Sequence, residues 1–209
     1  MHGFMGKILI VDLTARKTTI LAKDAAYYRA HLGGAFLAAR LFEELMAKKD
    51  VTDPLAPGNP IVFATGPLAG GSVCGSTRVN VLSLSPETPG IFTSQAGGEF
   101  GPNLKRAGFD ALVITGASET PVFLDIRNDR VVFEDAAALW GQDRLSAYNC
   151  LKADTAKNAS IATIGPAGEN RVRHANVMFE PDHYAGRGGL GAVMGAKNLK
   201  AIRISGNRP

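Results

Sequence analysis

Short landmarks in the first half of this chain return, in the same order, in the second. Gly66-Pro67 is matched by Gly165-Pro166, Arg78-Val79-Asn80-Val81 by His174-Ala175-Asn176-Val177, and Asn103-Leu104-Lys105 by Asn198-Leu199-Lys200. The halves also end alike, in Thr115-Gly116 and Ser205-Gly206. One such match is within reach of chance. A shared order marks an internal duplication, in which one supersecondary unit is used twice. It divides a single domain, 1–209, into halves of about 6–118 and 119–209.

Each half reads as hairpin, helix, strands, glycine loop and closing strand. In the first, Lys7 to Asp12 and Thr18 to Leu21 flank the turn Thr14-Ala15-Arg16. Asp24 is placed to cap a helix that begins at Ala25, breaks at Gly33-Gly34 and resumes through Leu45. Pro60 to Ala64, Val79 to Leu84 and Asp110 to Thr115 are strands, with a glycine loop (Ala96 to Gly98, Gly101) and a short helix through Asn103 to Lys105 between the last two. In the second half, Val122 to Arg127 and Val131 to Glu134 form the hairpin. A helical stretch is expected from Ala136 to Ala153, weakened at Gly141. Strands at Ser160 to Ile164 and His174 to Phe179, a glycine loop at Gly186 to Gly191 and a closing strand at Ala201 to Ser205 complete it. This order is not a simple βαβ alternation, so the expected fold class is α+β: two β-rich halves with interspersed helices and a ligand cleft between two related sheets.

A chain of 209 residues, 45% of them hydrophobic, can bury roughly 70% of its extended surface in one core. The net charge of +4 suits an anionic ligand without requiring one. Its densest basic cluster is Lys197, Lys200, Arg203 and Arg208, with no interleaved aromatics, so nucleic-acid binding is not expected. No apolar run approaches the ~20 residues that span a bilayer, and Met1 to Lys7 does not read as a leader. The expected home is cytoplasmic. Cys74 and Cys150 cannot supply the four thiolates of an iron–sulfur cluster.

Clustered glycines expose backbone N–H groups and permit positive φ, which makes nests for anions; a following helix N-terminus adds partial positive charge. Arg78 and Arg187 offer guanidinium forks suited to phosphate. Tight turns in a compact sheet protein explain the same glycines. Known phosphate motifs do not apply. Gly189-Leu190-Gly191 with Gly195 has one residue too many for a dinucleotide fingerprint and follows a polar loop, and Gly195-Ala196-Lys197-Asn198 lacks the adjacent Gly-Lys of a P-loop.

Longer segments are more specific. AGRGGLGAVMGAKNLKAI (Ala185 to Ile202) resembles the hallmark of the N-terminal domain of the aldehyde ferredoxin oxidoreductase family. ASIATIGPAGEN (Ala159 to Asn170), GPLAGG (Gly66 to Gly71) and GGEFGPNLKRAGFDALVITG (Gly97 to Gly116) extend the likeness from Gly6 to Gly206. The resemblance implies an oxygen-sensitive enzyme that oxidises aldehydes to carboxylic acids and passes electrons to ferredoxin. Its metal would be tungsten, in some members molybdenum, held by the dithiolenes of two molybdopterins (tungstopterin), with magnesium bridging the pterin phosphates. The 4Fe–4S cluster, the aldehyde pocket and the proton-transfer groups would belong to later domains. A homodimer is compatible with it.

By position, the resemblance carries cofactor contacts to Arg78, Gln95 and Gly97 in the first half, and to His183, Tyr184, Gly186 and Arg187 in the second. The magnesium ligands would be the backbone carbonyls of Gln95 and Tyr184, which tolerate side-chain change. Two departures stand out. His183 replaces an arginine, and Ala35-Phe36 stands where relatives have Arg-Gly. A second reading is a stand-alone, non-catalytic pterin- or phosphate-binding module.

Overall fold

In the computed structural model, residues 3–47, 50–155 and 158–208 are described; Met1 and His2 of the N-terminal segment read above for a leader lie outside them. The first half runs β1 (Lys7–Asp12), β2 (Lys17–Ala22), α1 (Ala25–His31), α2 (Gly34–Met46), β3 (Ile61–Thr65), β4 (Val79–Leu84), β5 (Ile91–Ala96), α3 (Phe100–Ala107) and β6 (Ala111–Thr115). The second runs β7 (Val122–Arg127), β8 (Arg130–Asp135), α4 (Arg144–Ala153), β9 (Ser160–Thr163), α5 (Pro166–Glu169), β10 (Val177–Phe179), β11 (His183–Ala185), α6 (Leu190–Ala196) and β12 (Leu199–Ser205).

Each half makes one six-stranded sheet. Their orders are β2-β1-β6-β3-β4-β5 and β8-β7-β12-β9-β10-β11, the same order strand for strand. Pairing directions agree as well: β1–β6 and β7–β12 are parallel, and every other pair is antiparallel. The architecture is the α+β, two-sheet arrangement expected, and the repeat is one of topology as well as sequence.

Two of the landmark matches fail. Asn80 pairs with Ala64 and Met178 with Thr163, each two residues before its Gly-Pro landmark, so Asn80 corresponds to Met178 and not to Asn176. Asn103, Leu104 and Lys105 lie inside α3, whereas Asn198 follows α6 and Leu199-Lys200 open β12. The residues that share a role are Gly108 and Asn198, which leave the two helices at φ +103° and +53°. Glycine and asparagine are the residues that take this left-handed exit at low cost, so the likeness of the two triplets does not reflect a common position.

The sheets share a core. Phe63 of β3, Phe100 of α3 and Phe179 of β10 meet with ring centroids 5.0 to 6.2 Å apart, among Leu112, Leu190, Ile202 and Ile204. Helices α3 and α6 each touch both sheets. α1 and α2 lay Tyr28, Leu37, Leu41 and Phe42 against the outer face of the first sheet, and α4 covers the second with Tyr148 and Leu151. Asp24 caps α1 by accepting from the Tyr27 N–H at 2.8 Å, and the break at Gly33-Gly34 stands as read.

The stretch 136–153 is not one helix. Ala137–Leu139 forms a single 3₁₀ turn, Gly141 turns the chain at φ +84°, and Asp143 starts α4 by accepting from the Leu145 and Ser146 N–H groups. The strand read at 174–179 begins only at Val177, because residues before it turn, with the Ala175 N–H donating to the Val172 carbonyl. The basic cluster near the C-terminus is largely internal: Lys197, Lys200 and Arg203 are buried, held respectively by the Pro57 and Gly116 carbonyls, by Glu169, and by Asp125. Lys200 and Arg203 are paired with carboxylates inside the fold and Lys197 is held by carbonyls, so these three form no surface patch.

Candidate functional site

The edge strands β5 and β11 lie close to each other where the two sheets meet, and the candidate site is built on them. Gln95 is the penultimate residue of β5, Gly97 and Gly98 lead into α3, and His183 and Tyr184 open β11. These residues, with Arg78 ahead of β4, line one open cleft of about 340 Å³ together with Gly75, Thr77, Ala96 and Asp182. Five of the seven residues carried over by resemblance therefore come together, from both halves. Gly186 and Arg187 are not among its walls.

The walls are close. A Cβ added to Gly97 would stand 2.7 Å from His183 Cδ2, and one added to Gly98 would collide with the Glu180 carboxylate. His183 Nδ1 lies 3.1 Å from Asp182 Oδ1. The Tyr184 hydroxyl donates to the Pro181 carbonyl at 2.7 Å and accepts from Arg144 Nε and Nη2 at 3.3 Å, so the β10–β11 turn is braced from α4. Tyr184 also borders a second hollow of about 530 Å³ with Arg144, His174 and Asn176. His174 and Asn176, in the turn ahead of β10, line it from the second half.

The glycine loops differ from the open nests expected of them. The Gly188 N–H donates to Glu87 Oε2 at 2.7 Å and the Arg187 N–H to Ser94 Oγ at 3.4 Å. In the first half the Glu99 N–H donates to Glu180 Oε2 at 3.2 Å. Burial pushes the Glu180 carboxyl above its usual range against the pull of that N–H. Gly188, at φ +78°, packs on Phe92, and Gly189, at φ +67°, on the Arg173 carbonyl and Pro86. The second loop thus serves the junction of the halves. Phe36, at the departure noted in α2, is 72% exposed. Among the described residues no group of three or more His, Cys, Asp or Glu is arranged to hold a metal. Cys74 and Cys150 are exposed and free, and among the described residues no helix is long and apolar enough to cross a membrane.

The fold is thus a duplicated two-sheet domain with a glycine-walled cleft at the junction of its halves, bearing one guanidinium and one imidazole. The comparisons identify the family. Residues 8–206 match the model of the aldehyde ferredoxin oxidoreductase N-terminal domain, and the chain belongs to that family. It is 42% identical over 210 residues to a tungsten-containing aldehyde ferredoxin oxidoreductase of Pyrococcus abyssi, covering all of this chain and 34% of that protein. It is 36% identical over 223 residues to the WOR-like subunit of an aliphatic sulfonate oxidoreductase of Pyrococcus furiosus, of which it covers 35%. Among solved structures, the active-site complex BamBC of benzoyl coenzyme A reductase superimposes with a TM-score of 0.91 at 35% identity, over 99% of this chain and 31% of that one. The chain spans about a third of the length of these relatives.

Proposed function

We propose that this chain is the cofactor-cradling part of an aldehyde-oxidising tungsten enzyme, and that the cleft between its halves receives the phosphate ends of two molybdopterins. The observation that carries this reading is the convergence of Arg78, Gln95, Gly97, His183 and Tyr184, drawn from both repeats, on one cleft. A ligand with two similar arms, each ending in phosphate, suits a protein that presents one supersecondary unit twice. The donor set fits. Arg78 would hold phosphate through its fork, Gly97 would admit the ligand where a side chain would meet the His183 ring, and the backbone oxygens of Gln95 and Tyr184 are the hard ligands magnesium takes. His183 would contribute a partly charged donor. Gly186 and Arg187, exposed beyond the cleft, would meet the outer end of a ligand longer than the cleft.

When bound, the metal would supply the two-electron chemistry by which an aldehyde and water become a carboxylic acid, two protons and two electrons destined for ferredoxin. This chain's own contribution would be binding and orientation, with the aldehyde pocket and 4Fe–4S cluster outside it. Molybdenum in place of tungsten would make the same demands on these residues. Arg78→Ala and Arg78→Lys test the reading through pterin retained after anaerobic gel filtration. Alanine should lose most of it and lysine less, since lysine keeps the charge but not the fork. Full retention in both variants would remove Arg78 from the site.

A further inference from the structure

The turns that join β4 to β5 and β10 to β11 are counterparts in the duplicated topology. Each sends a glutamate across to the other half. Glu87, in the first, accepts from the Gly188 N–H at 2.7 Å, while Ser85 of the same turn donates to the Gly188 carbonyl at 2.9 Å. Glu180, in the second, accepts from the Glu99 N–H at 3.2 Å. Each carboxylate therefore seals the glycine loop that precedes the other half's buried helix. The glycines beneath them are constrained accordingly. Gly98 and Gly188 both take positive φ, and a Cβ on Gly98 would lie within 2 Å of Glu180 Oε2. Glu180 itself is held at φ +58°, a conformation uncommon for this residue type.

We infer that Glu87 and Glu180 form a reciprocal clasp and act as positioning residues, with Glu180 setting the separation of the two walls of the cofactor cleft. The connection is direct. Glu180 begins the turn that carries His183 and Tyr184, and Glu99 follows Gly97 and Gly98, so one hydrogen bond ties the opposing walls. Neither glutamate lines the cleft. Their effect on a ligand passes through the residues they hold. That the same contact arises twice, from equivalent turns, separates it from an incidental surface hydrogen bond. The clasp is a property of the apoprotein; its consequence for the cofactor rests on the proposed function.

Amide hydrogen exchange on the full chain, followed by pterin analysis of anaerobically purified protein, distinguishes the two. Glu180→Ala should raise exchange at Glu99 about tenfold, as loss of a bond to a charged acceptor implies, with β3 and β6 unchanged. Glu87→Ala should do the same at Gly188. Glu180→Gln, which keeps an acceptor of the same length, should restore most of the protection and most of the pterin, whereas Glu180→Ala should lose both. Unchanged exchange in the alanine variants would overturn the clasp. Raised exchange with full pterin retention would overturn its positioning role. Wild-type protein without pterin would refute the proposed function instead, leaving exchange alone to decide the clasp.

Discussion

Gly188 offers a direct measure of how tightly the halves are joined beside the cleft. Replacing it with alanine has two consequences. The residue sits at φ +78°, and placing an L side chain in the left-handed region costs about 1–2 kcal/mol. The new methyl would also stand 2.3 Å from Phe92 Cδ1, 2.7 Å from Cγ and 3.1 Å from Cβ. Because the crowding reaches the root of that side chain, rotating the ring does not relieve it, and overpacking adds about 1–3 kcal/mol. Gly141 is the control, with φ +84° and nothing within 4 Å of its added Cβ. Gly141→Ala should lower the unfolding free energy by about 1 kcal/mol, since the loss of unfolded-state freedom offsets part of the backbone cost. Gly188→Ala should lower it by about 2–4 kcal/mol. Urea titration followed by circular dichroism gives both values. If the two variants are equally stable, β5 and the second glycine loop are not packed as described.

Two further outcomes follow from the buried charges and from the cysteine content. Burial pushes the Asp125 carboxyl up, but hydrogen bonds from Arg203 and Arg127 override this and hold it below the usual range, so its contribution to stability is present above the unfolded pKa of about 3.9 and lost as pH falls through the folded value. Asp125→Asn should therefore cost about 2–3 kcal/mol near pH 7, with the gap to wild type closing below about pH 4; a gap that persists in acid would mean packing, not charge, is responsible. With only Cys74 and Cys150, too few thiolates for a cluster, the isolated chain should show background aldehyde oxidation with a viologen acceptor after cofactor loading. Turnover at an ordinary enzymatic rate would refute the reading of this chain as a cradle only.

The central strands were legible because burial on both faces demands apolar runs, as in Ile61–Thr65 and Ala111–Thr115. The strands that carry the site were not. Ile91–Ala96 and His183–Ala185 are edge strands, with polar residues at Thr93, Ser94, Gln95 and His183, and each is set by pairing to a neighbour distant from its own propensity. Gln95, His183 and Tyr184 were reached through family resemblance, and their meeting in one cleft became visible only with the sheet order. The clasp was missed because an acid in a turn ordinarily reads as solvated. The one available signal was that Glu87 and Glu180 follow equivalent strands. The burial of the basic cluster is not legible for a related reason, since sequence spacing cannot tell a solvated lysine from one capped by carbonyls.

Anomalous diffraction at the tungsten edge from anaerobically grown crystals of the cofactor-loaded chain would locate the metal without reference to any relative. A single tungsten peak over the cleft bounded by Arg78, Gln95, Gly97, His183 and Tyr184, with pterin phosphates reaching both halves, is the expected result. A peak elsewhere on the domain, or phosphates confined to one half, would contradict the shared cleft.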